Sequence, residues 1–196
     1  MIRLFVGLGN PGTEYINTRH NAGVWLVEAL ARTLKASAWQ MENKFFGQVC
    51  RVRCQGEDCW LLLPQTYMNL SGQSVSALAR YYKIAPEEIC MAHDELDFAP
   101  GVVKLKQGGG HGGHNGLKDS ISKLGSAEFW RIRLGIGHPG DRSQVAHFVL
   151  HSPRQEEQAA IEQAIARTLP LLPRFIQGET QAVVRALHAP LPLEKS

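Results

Sequence analysis

Strand-like apolar runs alternate with helical stripes along most of this chain, and that pattern leaves few folds open. Leu4-Phe5-Val6 precedes a stripe of Val24, Val27, Ala31 and Leu34, with Leu26 and Leu30 beside it. Phe46 to Cys54 alternates; a Gly56-Glu57-Asp58 turn and the apolar Trp60-Leu61-Leu62-Leu63 then complete an expected hairpin. A polar loop from Pro64 to Gly72 leads into a helix carrying Val75, Leu78, Ala79 and Tyr82. Further strands are expected at Ile89–Ala92, Val102–Lys106 and Trp130–Ile136, with a helix bearing Leu117, Ile121 and Leu124 between the last two. A closing helix from about Pro153 bends or ends at Pro170 and Pro173. The expected architecture is a single α/β domain over residues 1–188. Its twisted sheet is mixed, because it contains a hairpin, and helices flank both faces. Ala189 to Ser196 reads as a disordered tail.

The 196 residues suffice for one good core and are too few for two comfortable domains. No apolar run reaches the length of a membrane span, and the start lacks a signal-peptide layout, so a cytoplasmic protein is expected. A net charge of +3 makes no bulk polycation, so any nucleic-acid contact must come from a local patch. Cys50 and Cys54 fall on one expected strand, roughly 13 Å apart, too far to share a zinc ion or a bridge. Free thiols are expected at all four cysteines.

Gly7-Leu8-Gly9-Asn10-Pro11-Gly12 matches the G-x-G-x-x-G fingerprint of dinucleotide-binding folds. The mechanics disagree. A helix must start at once to hold a pyrophosphate on its first amides, yet Thr13 to Arg19 is rich in turn formers and has no apolar period. Pro11 removes an amide from the turn, and the next strand ends in Cys54-Gln55-Gly56, without the ribose-binding acid. The glycines instead fit a tight strand-end turn that sets Asn10 beside a site.

In open α/β sheets, sites form beyond the carboxyl ends of strands, which makes Gly9-Asn10, Thr66 to Asn69 and His93-Asp94 expected neighbours. The polar residues there are mainly amides and histidines: Asn10, Asn17, Asn21, Asn69, Asn115 and His20, with Asp94 as the acid. No G-x-S-x-G elbow and no G-x-x-x-x-G-K-[ST] loop occurs, so neither a serine nucleophile of the α/β-hydrolase kind nor P-loop chemistry has support. A histidine with an aspartate partner can deprotonate water, and uncharged amides suit a peptide backbone or an oxyanion. His20 could equally cap or pack the helix after it, and Asn10 could serve only its turn. The residues alone therefore leave a water-activating hydrolase and a binding domain both open. His111 and His114 are spaced like a metal pair, but nothing in so glycine-rich a loop fixes them on one face, and no metal site is expected.

Six segments carry a resemblance. They are Val6 to Gly12; Tyr15 with Thr18 to Gly23; Pro64 to Gly72; His93 to Asp97; Gly109 to Lys118; and Arg131 to Gly137. Together, and in this order, they resemble bacterial peptidyl-tRNA hydrolases. The likeness extends over nearly all of the chain to about Leu150 and more loosely to about Leu187. It implies cleavage of the ester joining a peptide to the terminal ribose of tRNA, by a monomer that needs no metal or organic cofactor. The catalytic set it implies is His20 as general base, Asp94 orienting it, and Asn10 gripping the peptide main chain. Asn69 and Asn115 would position the peptide or the tRNA end, with Tyr15 and Tyr67 lining the cleft. Tyr67 stands where the family commonly has phenylalanine or tyrosine, and Glu95 replaces an aspartate found in many members. Alternation also puts Lys104 with Lys106, and Arg131 with Arg133, on single strand faces, where they could meet phosphates.

Overall fold

The first strand, β1 (Leu4–Gly7), is buried along its whole length because it lies at the centre of a seven-stranded sheet. The computed structural model describes residues 1–191. The other strands are β2 (Gln40–Glu42), β3 (Gly47–Cys54), β4 (Glu57–Pro64), β5 (Ile89–Glu95), β6 (Val103–Gln107) and β7 (Trp130–Gly135). Their spatial order is β2-β3-β4-β1-β5-β7-β6. β1 runs parallel to β4 and β5, and β5 to β7, whereas β2–β3, β3–β4 and β6–β7 are antiparallel. The helices are α1 (Ala22–Thr33), α2 (Ser71–Tyr81), α3 (Asn115–Leu124), α4 (Val145–Val149), α5 (Gln155–Thr168), α6 (Leu172–Ile176) and α7 (Thr180–His188).

Side chains alternate across the central strands, so each face of the sheet has its own core. Phe5, Leu61, Ala92, Ile132 and Leu134 pack with α1, α5, α6 and α7 on one face. Leu4, Val6, Leu62, Ile89 and Met91 pack with α2 and α3 on the other. The expected mixed sheet with helices on both faces is what the chain forms. The hairpin turn is shorter than expected: Gln55 and Gly56 alone make it, both at positive φ, and β4 already begins at Glu57. Two positive-φ residues match the right-handed twist of the flanking strands. The thiols are free, and burial pushes that of Cys50 up to about 12. Helix α7 ends at His188; of the expected tail, residues 192–196 lie outside the described residues.

The glycines near β1 serve close packing. Gly23, in the first turn of α1, presses on β5, and a Cβ there would collide with the Ala92 carbonyl. Because both partners are backbone, little can yield. Gly23→Ala is therefore expected to cost about 1–3 kcal/mol, read as a lower urea midpoint at unchanged slope.

Candidate active site

Parallel pairing of β1 with β4 and β5 sets their carboxyl ends side by side, and the loops leaving those ends are tied together. Asn10, after β1, accepts the Met68 N–H on its Oδ1 at 2.7 Å, which pins it to the Met68–Leu70 turn beyond β4. Asn21 holds the Asn10 backbone from below. Its Oδ1 accepts the Asn10 N–H at 2.9 Å and its Nδ2 donates to the Asn10 carbonyl at 3.0 Å. The Nδ2 donor of Asn10 is thus the group left for a ligand.

His20 sits in the single 3-10 turn Arg19–Asn21 that leads into α1, buried except for a small part of its ring. Its Nδ1 lies 2.8 Å from Asp94 Oδ2, near the end of β5. The other oxygen, Asp94 Oδ1, lies 2.8 Å from His114 Nε2. His114 is also the N-cap of α3, where its Nδ1 accepts the Gly116 and Leu117 N–H groups at 3.1 and 3.3 Å. A nitrogen that accepts cannot carry the proton, so the His114 proton resides on Nε2 and is donated to Asp94. With Asp94 acting as acceptor on both oxygens, His20 donates from Nδ1 and keeps a lone pair on Nε2.

Burial alone would raise the Asp94 carboxyl, but the two histidines facing it hold it well below the usual carboxylate range. Burial alone would lower His20; the Asp94 charge and hydrogen bond outweigh it, and the imidazole stands above its ordinary value. His93, fully enclosed, is pushed down to about 3, chiefly by burial, and donates its Nδ1 proton to the Asp94 carbonyl.

The turn that carries His20 is anchored by Arg19. Its guanidinium donates to the Phe148 and His151 carbonyls, lies 3.8 Å from the Phe148 ring centroid, and pairs with Glu157 at 3.4 Å. A cavity of about 440 Å³ opens beside it, lined by Arg19, Gln144, His147, Phe148 and His151. It does not include the His20–Asp94 pair. Tyr15 and Tyr67 meet edge to face, with centroids 6.5 Å apart. Asn69 and Asn115 are both exposed, Asn69 beside Met68 and Asn115 beside His114, and α3 packs against the Met68–Leu70 turn.

The basic residues divide. In the β6–β7 pairing Lys104 faces Arg133 and Lys106 faces Arg131. Arg133 bonds Glu95 through Nε and Nη2 at 2.9 and 2.7 Å, and Lys104 is exposed. Arg131 departs from the expected phosphate-facing position. It is 1% exposed and donates to the carbonyls of Gly109, Gly110 and Ala127, stitching the glycine loop to β7. A loop covers it, which strand alternation does not reveal.

Ligand atoms of His20, Asp94 and His114 lie within 4.8 Å of one another, the spacing of a possible cation site. The hydrogen bonding does not fit one. A metal on His114 Nε2 would drive the proton to Nδ1 and destroy the α3 cap, and one on His20 Nδ1 would displace its bond to Asp94. His93 and His111, candidates for such a cluster, do not join it: the His111 Nδ1 accepts the Gly113 N–H at 3.0 Å.

A twisted mixed sheet that presents a hydrogen-bonded histidine–carboxylate pair among carboxamides at its strand ends is the arrangement of a small α/β enzyme of the hydrolase class. The family model for peptidyl-tRNA hydrolase matches residues 4–194. A peptidyl-tRNA hydrolase of Delftia acidovorans is 54% identical over 98% of this chain and 92% of its own length. Another, of a Marinomonas species, is 56% identical over 95% and 96%. The crystal structure of peptidyl-tRNA hydrolase from Acinetobacter baumannii superposes with a TM-score of 0.92 at 47% identity, covering 96% of this chain and 95% of that one. The chain belongs to the peptidyl-tRNA hydrolase family.

Two residues carry more of the geometry than sequence reasoning assigned them. The sequence presents His114 only as half of a possible metal pair, and its place one residue before a helix is the available signal. Asn21 stood among the amides without a role, because a side chain reading a backbone eleven residues away leaves no local trace.

Proposed function

We propose that this chain hydrolyses the ester joining a peptide, or an N-blocked aminoacyl group, to tRNA, releasing free tRNA for reuse in translation. The observation that carries the mechanism is the His20–Asp94–His114 chain of hydrogen bonds, which leaves His20 Nε2 as the unprotonated nitrogen. His20 takes a proton from water as the water attacks the ester carbonyl. Asp94 stabilises the imidazolium that forms, and the same proton then passes to the departing ribose oxygen. Asn10 Nδ2 grips the peptide main chain, which favours blocked peptidyl over free aminoacyl groups. Asn69 and Asn115 position the acyl and tRNA ends, and Tyr15 and Tyr67 form the wall of the cleft. The reaction needs no metal in this reading, which the capping role of His114 supports.

Lys104, Lys106 and Arg133 receive the RNA backbone. Burial and the neighbouring Arg133 and Arg131 charges lower the Lys106 ammonium from its ordinary value, the mark of a cationic cluster short of counter-charge. A phosphate would supply it. In this reading the enzyme works in the cytoplasm as a monomer built on one domain. No helix among the described residues is long and apolar enough to cross a membrane.

The decisive experiment follows acyl release from N-blocked aminoacyl-tRNA. Release well above the spontaneous rate is expected, and none would overturn the reading. Lys106→Ala and Arg133→Ala are each expected to raise KM by roughly tenfold while kcat stays within about threefold. A loss confined to kcat would remove these residues from RNA binding.

A further inference from the structure

Phe98, in the loop joining β5 to β6, carries two cations on one half-buried ring. The Arg133 guanidinium carbon lies over it at 4.6 Å from the centroid, and Lys104 Nζ at 5.3 Å. These two cations face each other directly across the β6–β7 ladder, where like charges destabilise a sheet. Glu95 offsets the charge of Arg133, whose Nε and Nη2 both reach its Oε1. The negative face of an aromatic ring supplies further compensation to both partners.

The loop that carries the ring is also held in place. The Gly137 N–H donates to the Phe98 carbonyl at 2.8 Å, the Ile136 N–H to that of Glu95 at 3.0 Å, and the Gly135 N–H to that of Val102 at 2.9 Å. The backbone at the end of β7 thus clamps the whole loop from Glu95 to Val102. Lysine and arginine lose much rotamer freedom when they grip a ligand, and a fixed surface beneath them reduces what remains to be lost.

We propose that Phe98 is a positioning residue for RNA binding: its ring gathers Lys104 and Arg133 into a two-cation clamp for one phosphate. The inference rests on the reading of the basic face given above. Phe98 itself touches no substrate in this scheme; it acts through the two side chains it supports.

Steady-state hydrolysis of N-blocked aminoacyl-tRNA by Phe98→Ala, Phe98→Leu and Phe98→Tyr tests it. Leucine keeps apolar volume but has no aromatic face, so it separates packing from cation–π support. Phe98→Ala and Phe98→Leu are expected to raise KM by roughly three- to tenfold with kcat within twofold, and Phe98→Tyr to stay close to wild type. With an N-blocked aminoacyl ester of a trinucleotide, which lacks the stem phosphates, all three variants should match wild type. Wild-type KM in the leucine variant, or equal losses on both substrates, would overturn the proposal. Lys104→Ala and Arg133→Ala serve as references. If both leave KM unchanged, the basic-face reading fails and takes this inference with it. If they raise KM and the Phe98 variants do not, the role of Phe98 alone is wrong.

Discussion

Replacing His20 by alanine is expected to lower kcat by a factor of roughly 10² to 10⁴ while KM for N-blocked aminoacyl-tRNA moves little. The split follows from position. His20 is nearly buried at the strand ends and is bonded to Asp94, whereas the cations proposed to hold RNA lie on β6 and β7. No neighbouring imidazole can replace it. Both nitrogens of His114 are engaged, and His93 is fully enclosed with one nitrogen committed to the Asp94 carbonyl. A His20→Ala enzyme with near-normal kcat would mean that another group activates the water. A thermal melt of the variant is needed beside the kinetics, since Asp94 would lose one of its two side-chain donors in a buried setting.

Asp94→Asn is expected to be comparably damaging by a different route. The carboxamide can accept on one side only, and its amino group must face a hydrogen-bond acceptor on the other. His114 cannot provide one, because its proton is fixed on Nε2 by the cap it makes for α3. The asparagine oxygen therefore stays with His114, and His20 must turn its Nδ1 into an acceptor. Its proton then moves to Nε2, the nitrogen that should take a proton from water, and kcat falls by a factor on the order of 10² or more.

The pH dependence carries the same signature. In the wild type the Asp94 charge and hydrogen bond hold His20 above its ordinary value, so activity is expected to fall away below a correspondingly raised pH. In Asp94→Asn burial acts alone, and the acid limb of the residual activity moves down instead. Stability should follow. The depressed Asp94 carboxyl stabilises the fold above the ordinary carboxylate range, and that contribution is lost as the pH falls through its folded value. The raised His20 contributes fully below its unfolded value and loses its contribution as the pH rises through the folded one. Urea titrations across pH should find both contributions diminished in the asparagine variant; an unchanged profile would count against the ionised pair.

Helices α1, α2, α3 and α5 and most strands were legible because their apolar residues repeat at the spacing their environment demands, whereas α6 and α7, beyond Pro170, were not. β2 was not: Gln40-Met41-Glu42 is three residues long, lies at the sheet edge and has no apolar alternation to read. α4 has five residues, too few for a stripe to stand out. At the site, residue types and their order along the chain indicated His20, Asp94 and the amides, but not who bonds to whom. Arg131 shows the limit most clearly. Alternation puts it on the same strand face as Arg133, yet only the fold decides that the glycine loop closes over one and leaves the other half-buried against Glu95.

Asp94 and Glu95 are consecutive on β5, so their side chains leave opposite faces of the sheet, one to His20 and the other to Arg133. In the proposed reading the strand end works as a ruler, and a substrate engaging both sides presents its ester to one face and its anionic backbone to the other. On that reading a short ester would satisfy one mark and a bare RNA the other, whereas a molecule carrying both would bind as a bivalent ligand whose second contact is intramolecular. Selectivity of that kind comes from spacing, and it needs no side chain that reads a base.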